Sequence, residues 1–286
     1  MENRTVGLSK VITAIYLVSL SIILAPQANA ALISTVSQTR TTGADLNIMI
    51  QNAPGAGDFK TGSATNFGVF NSTVTANTIA TTNYCRMTGC YLTEAGRGTA
   101  TGAQNSEIAA SSILANGSAS WNVSSGLPTV AVYTSIAASS NFGVTFDLTQ
   151  DATFSLTGSL SNYLAAVSPF STMPTLNAQA TIGLTGTSTM AYHILDSNVS
   201  PLGSLSFSDT GQLKAGRYTL SAAATSDGSE PELTNKGNSS YSFQLTLTPT
   251  PVPLPGALWL LMSGISLISV AGLRRKTTAA SSVSGT

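Results

Sequence analysis

Apolar and polar residues alternate through much of the second half of the chain. Between Ala152 and Gly158, Phe154 and Leu156 point one way while Thr153, Ser155 and Thr157 point the other, and residues 216–222 and 241–247 repeat the pattern. A period of two marks strands with one buried and one wet face. Further strands are predicted at 46–51, 66–74, 118–123, 129–135 and 141–148, then at 178–187, 190–196 and 203–208. Gly, Asn, Asp and Pro clusters punctuate them, and residues 31–248 show no sustained helical period. Residues 52–65 and 95–117 are poor in large apolar groups and are predicted as loops. A short helix is expected over 104–114, where Ile108, Ile113 and Leu114 are the apolar points. Strands at this spacing need two stacked sheets to bury their apolar faces. The expected fold is therefore all-β, an antiparallel β-sandwich of jelly-roll type built as one domain over residues 31–248.

The two ends break the pattern. Arg4 and Lys10 precede an uncharged apolar run from Val11 to Leu24, followed by Pro26 and the small residues Ala28-Asn29-Ala30. A basic start, an apolar stretch of this length and an A-x-A site read as a secretory signal peptide over residues 1–30, cleaved so that the mature chain begins at Ala31. The competing reading, an uncleaved anchor, fits a longer apolar run better. At the other end Pro249, Pro251, Pro253 and Pro255 fall on alternate residues, which predicts an extended segment unable to enter a sheet interior. Gly256 to Leu273 then runs for 18 residues without a charge. As a helix it would span about 27 Å, close to the roughly 30 Å of bilayer hydrocarbon. Arg274-Arg275-Lys276 closes the run and by the positive-inside rule stays cytoplasmic, leaving residues 31–248 outside.

A proline motif, a membrane-spanning helix and a basic cluster, in that order, form a tripartite sorting signal over residues 249–276, followed by a short polar tail, 277–286. The segment resembles the PEP-CTERM signal of exopolysaccharide-producing Gram-negative bacteria. The matching residues are Val252-Pro253-Leu254-Pro255, the start of the helix from Gly256 to Leu261, and Arg274, Arg275 and Lys276. Leu254 stands where the family's motif has glutamate, and the ten-residue tail is longer than usual. The resemblance implies recognition by an exosortase-like membrane transpeptidase that removes the helix and releases or re-attaches the ectodomain. A sortase signal is excluded, because Leu254-Pro255 is followed by Gly256-Ala257-Leu258 rather than by x-Thr-Gly. A plain single-pass anchor on a proline-rich stalk is the simpler alternative. The segment Gly211 to Leu220 looks like a turn-then-strand element of PEP-CTERM ectodomains.

Composition narrows the chemistry. Of 286 residues only 8% are charged, with 12 basic and 12 acidic side chains. Residues 31–248 hold seven basic and eleven acidic groups, spread rather than blocked. Nothing here neutralises a nucleic-acid backbone. One His and two Cys fall short of a structural zinc site, which takes four N or S ligands. Cys85 and Cys90 enclose Arg-Met-Thr-Gly, and after export they are expected to close a small disulfide loop, with Gly89 permitting the tight turn. Redox catalysis would prefer Cys-x-x-Cys.

His193 lies in a predicted strand with Asp196 three residues on, which makes no triad, and a Gly-x-Ser-x-Gly elbow does not occur in the sequence. Glu230 and Glu232 flank Pro231 in a predicted solvated loop, where paired carboxylates of a glycosidase are one reading. Asp227, Glu230 and Glu232 could offer oxygen ligands to Ca²⁺, without EF-hand spacing; no other cofactor is expected. Trp121, Tyr133 and Tyr163 could stack on sugar rings, with Trp121 better placed in the core beside Val123. The resulting expectation is a non-enzymatic exported protein of the cell surface, outer membrane or exopolysaccharide matrix of a Gram-negative bacterium. Its partners would be an exosortase-like enzyme, extracellular polysaccharide and, before processing, the membrane through Gly256–Leu273. A lectin-like module with a defined pocket is the alternative.

Overall fold

Twelve strands make up nearly all of the described chain. The computed structural model describes residues 32–50, 53–86, 89–125, 132–166, 175–187, 189–197, 202–231 and 235–251. The strands are β1 (Ile33–Ile50), β2 (Ala53–Ser63), β3 (Phe70–Arg86), β4 (Gly89–Ile108), β5 (Ser112–Ser125) and β6 (Val132–Leu148). They continue as β7 (Ala152–Ala166), β8 (Thr175–Thr185), β9 (Thr189–Asp196), β10 (Gly203–Leu213), β11 (Gly216–Pro231) and β12 (Asn235–Pro249). Two six-stranded sheets result, a first in the order β2-β1-β6-β11-β8-β9 and a second in the order β10-β7-β12-β5-β4-β3. Every pairing is antiparallel. The expected all-β sandwich is what forms. From β5 to β12 the chain changes sheet at each connection except that from β8 to β9, while β1–β2 and β3–β4 widen the two sheets on one flank.

Period-two alternation does what the sequence implied. In β12, Tyr241, Phe243, Leu245 and Leu247 are buried while Gln244, Thr246 and Thr248 face out. Phe154 and Leu156 of β7 and Tyr218 and Leu220 of β11 are buried in the same way. Opposite the β7 and β12 residues lie Leu46 and Ile48 of β1, Phe142, Val144 and Phe146 of β6 and their β11 neighbours, so one core runs between the sheets. Phe142 meets Phe243 edge-on across that gap, centroids 5.3 Å apart.

The predicted loops at 52–65 and 95–117 are corrected: the first is mostly β2 and the second falls in β4 and β5. The reason is steric. Along the middle of β4 and β5 the inward positions Gly98, Ala100, Gly102, Ala115, Gly117 and Ala119 are small because the facing sheet comes close there, while larger inward residues such as Ile113 and Trp121 lie toward the strand ends. A methyl on Gly98 would lie 2.8 Å from a Leu46 methyl, and one on Gly102 would lie 2.4 Å from the Ser139 carbonyl oxygen. Small residues here signal close packing, not exposure. The expected helix over 104–114 is also absent. That stretch is a hairpin in which Ile108 pairs with Ile113 and the Ala109 N–H donates to the Ser112 carbonyl at 2.8 Å. The strands predicted separately at 129–135 and 141–148 are one strand, β6, and the strand predicted from residue 66 begins at Phe70.

Arg40 fastens the widened flank. Its buried guanidinium leaves β1 and donates to the carbonyls of Gly68 (2.8 Å) and Asn66 and to Ser106 Oγ of β4 at 3.2 Å, with its carbon over the Phe70 ring at 5.5 Å. One side chain thus joins both sheets to the connection between β2 and β3. By contacts the chain divides into units 1–249 and 250–286. The sandwich belongs to the first, and the second lies outside the described residues beyond Pro251.

Candidate functional site

The outward face of the second sheet collects the neutral hydrogen-bonding residues of five neighbouring strands in register. Tyr163 of β7, Asn238 of β12, Ser120 of β5, Thr101 of β4 and Thr75 of β3 form one cross-strand row. Lys236, Asn122, Thr99 and Asn77 form the next on one side. Ser161, Ser240, Ser118, Ala103 and Thr73 lie on the other. Each residue is there because its strand neighbours, such as Trp121 and Ala119 of β5, occupy the core side. The alternation that buries the core therefore also builds this face.

Two open depressions lie end to end along it. One of about 340 Å³ is lined by Thr99, Thr101, Ser120, Asn122, Tyr163 and the Lys236–Asn238 segment. The other, about 390 Å³, continues over Asn71, Thr73, Asn105, Asn116, Ser118 and Ser240. From Thr99 to Asn105 the floor follows β4 for roughly 20 Å at about 3.4 Å per residue. Side chains along it hold one another in place: Thr99 Oγ1 donates to Asn77 Oδ1 at 2.9 Å, Thr75 and Thr101 hydroxyls meet at 3.2 Å, and Ser161 and Ser240 at 2.7 Å. Among the described residues no carboxylate lines either depression. Lys236 supplies the charge, its Nζ 5.4 Å from the centroid of the Tyr163 ring. Beneath the first of them the Trp121 indole is 4% exposed, its buried N–H without a hydrogen-bond partner among the described residues, and packs against Gly237.

The three aromatic candidates are thus separated. Tyr163 stands half-exposed in the groove, Trp121 is core below it, and Tyr133 is on the outer face of the other sheet, paired in register with Met49. His193 of β9 is engaged by Asp209 of β10, not by Asp196: Nε2 and Oδ2 are 2.6 Å apart, and the ring stacks on Phe207 at 4.3 Å. Asp196 accepts from Gln179 Nε2 instead. Sequence spacing could not have found Asp209, which only the approach of the two sheet edges delivers.

The carboxylates lie elsewhere and are mostly paired. Asp58, Glu94, Asp147 and Asp151 accept from Lys60, Arg97, Arg217 and Lys214, and those side-chain hydrogen bonds hold each carboxyl below its ordinary range. Asp227 goes the other way: desolvation raises it, partly offset by a hydrogen bond with the Asn177 side chain. Asp227 and Glu230 belong to β11, not to a loop, and Glu232 lies outside the described residues. Among the described residues no group of three His, Cys, Asp or Glu side chains could hold a metal. Cys85 and Cys90 are register partners across the β3–β4 hairpin, next to Gly89 with its φ of 136°.

Ala28, Ala30, Val252, Pro253, Leu254, Pro255, Gly256–Leu273, Arg274, Arg275 and Lys276 lie outside the described residues. Among the described residues no helix is long and apolar enough to cross a membrane, which says nothing of strands. No family model and no curated protein matches the chain. Among solved structures a likeness is found to TmCBM61 in complex with β-1,4-galactotriose. It has 6% identity over 44% of this chain and 75% of that one, and a TM-score of 0.17.

Proposed function

We propose that this chain is a non-enzymatic, exported glycan-binding protein whose second sheet docks extracellular polysaccharide along its outer face. The observation that supports it is the groove: Asn, Ser and Thr side chains in register over about 20 Å, an exposed tyrosine at one end, and a floor closed by Trp121. Sugar hydroxyls are neutral donors and acceptors, and sugar C–H faces stack on aromatic rings. A row of fixed neutral hydrogen-bonding groups beside Tyr163 matches both. Hydrolytic chemistry needs two facing carboxylates, and the groove's described lining offers sites for holding a chain rather than cutting it.

The sandwich reads further as a jelly roll, because β5 to β12 alone supply two four-stranded orders, β6-β11-β8-β9 and β10-β7-β12-β5, with sheet changes at nearly every connection. Delivery is assigned to the terminal segments. The resemblance of residues 249–276 to a PEP-CTERM signal supports sorting by an exosortase-like transpeptidase at a Gram-negative surface, after removal of residues 1–30.

The test of the groove is titration of the exported protein with polysaccharide shed by its native host, followed by calorimetry. Tyr163→Ala is expected to weaken binding about tenfold, the loss of one stacking platform, and Asn238→Ala severalfold, with unchanged thermal midpoints. Wild-type affinity retained by both variants would remove this face from the function.

A further inference from the structure

We infer that the groove takes an acidic polysaccharide and that Lys236 receives the carboxylate of a uronic sugar flanked by neutral ones; this rests on the glycan reading above. The observation is the pairing of the other cations whose side chains are described. Lys60, Arg97, Lys214 and Arg217 each hold a carboxylate, at 2.7, 2.6, 2.7 and 2.8 Å, and Arg40 is buried on backbone carbonyls. Of the cations whose side chains are described, Lys236 is the exposed one without a carboxylate partner among the described residues. It lies in the lining of a depression to which no described carboxylate contributes.

An ammonium carries three donors and no acceptor, and its hydrogen bond to a carboxylate is stronger than one to a neutral hydroxyl, so an anionic sugar gains more from it than a neutral one. The Tyr163 ring holds this one by cation–π attraction, and its register neighbour on β5 is Asn122. A uronic carboxylate accepting from Nζ would leave its ring beside Tyr163 and its hydroxyls within the span of Asn122 and Asn238. Lys236 places a positive charge in the groove of a domain whose sequence carries four more acids than bases between residues 31 and 248, so an anionic segment is favoured at this end of the groove over the acidic remainder. One cation along about 20 Å fits sparse charge. A nucleic acid, with a phosphate at every nucleotide, would call for a stripe of them.

The experiment compares the native host's shed polysaccharide as isolated with the same material after its carboxyl groups are reduced to alcohols. Both are titrated into the exported protein and into its Lys236→Gln and Lys236→Arg variants. The expected result is that carboxyl reduction weakens wild-type binding at least tenfold. In Lys236→Gln the ratio of the two affinities falls to near one, and Lys236→Arg restores it. Raising sodium chloride from about 0.05 to 0.5 M is expected to weaken only the unreduced form. Equal wild-type affinity for both forms, or an unchanged ratio in Lys236→Gln, overturns the assignment while leaving a neutral-glycan groove intact. Single-stranded DNA bound as tightly as the acidic polymer also overturns it. Binding of neither form overturns the glycan reading itself.

Discussion

Gly102 sits where the two sheets come close, with space for a hydrogen and nothing larger. A methyl there would meet the carbonyl oxygens of Ser139 and Gly43 at 2.4 and 2.6 Å, and neither backbone can swing away as a side chain could. Gly102→Ala is expected to cost about 3 kcal/mol, the upper end of overpacking, and to lower the thermal midpoint by roughly 10 °C. Gly143 on the outer face of the first sheet is the control, since its added methyl would find ordinary contacts at 3.5 Å and beyond. Gly143→Ala should stay within about 0.5 kcal/mol of the parent in urea denaturation. Asp227 supplies a second residue-level test. Its carboxyl is raised by desolvation, so ionisation at neutral pH works against the folded state. Asp227→Asn is expected to raise the midpoint at pH 7, and the gain should vanish near pH 3, where both forms are neutral. The four paired carboxylates have the opposite sign. Their depressed values give stability that is present above the unfolded range of about 4 and is lost as pH falls through the folded values. Scanning calorimetry between pH 7 and pH 3 reads both. Tyr241, raised by burial, adds a loss only on the alkaline side, above about pH 10 where the unfolded phenol ionises.

Between elements, the hairpin of β3 and β4 carries the clearest covalent expectation. Register places Cys85 opposite Cys90, and directly opposed residues of antiparallel strands have Cα atoms about 4.5–5.5 Å apart, inside the range a disulfide spans. Mass spectrometry of exported material after alkylation without reduction is expected to find both thiols blocked by a mutual bridge; two alkylated cysteines would exclude it. The closed loop is short, so removing the bridge with Cys85→Ser and Cys90→Ser should cost less than about 3 kcal/mol and leave the sheets assembled. At the opposite margin β9 and β10 belong to different sheets, and the contact of His193 with Asp209 and Phe207 joins them. The tandem of Arg40 at one flank and His193 at the other shows how polar side chains tie sheet edges that no backbone ladder connects.

For the molecule as a whole, the groove and the terminal segments make separate demands. On the proposed reading, binding would need β4, β5, β7 and β12 in register, whereas delivery would need residues 249–276, which begin at the end of the last strand. Deletion of residues 250–276 is expected to leave glycan binding of the purified sandwich unchanged and to alter where the protein accumulates. Fractionation of the native host with and without the deletion reads this, and identical distribution and identical mature mass would end the sorting proposal. Intact mass of the exported wild type should begin at Ala31 and lack the apolar run after Pro255.

Which way each strand faces is legible in the residues alone wherever large apolar residues alternate with Ser and Thr, because a period of two admits one buried side. Tyr241 to Leu247 and Ala152 to Leu156 show it. The expectations for the two ends rest on charge, proline and apolar length, which act locally, and those segments lie outside the described residues. The sequence could not reveal that 95–117 is strand, because Gly98 and Gly102 are small to make room for Leu46 and the Ser139 carbonyl, residues distant in the chain. Nor could it join Tyr163, Lys236, Asn122 and Thr99 into one groove or give His193 its partner Asp209. Those groupings come from strand order and register, which are set by how two whole sheets close over a shared core.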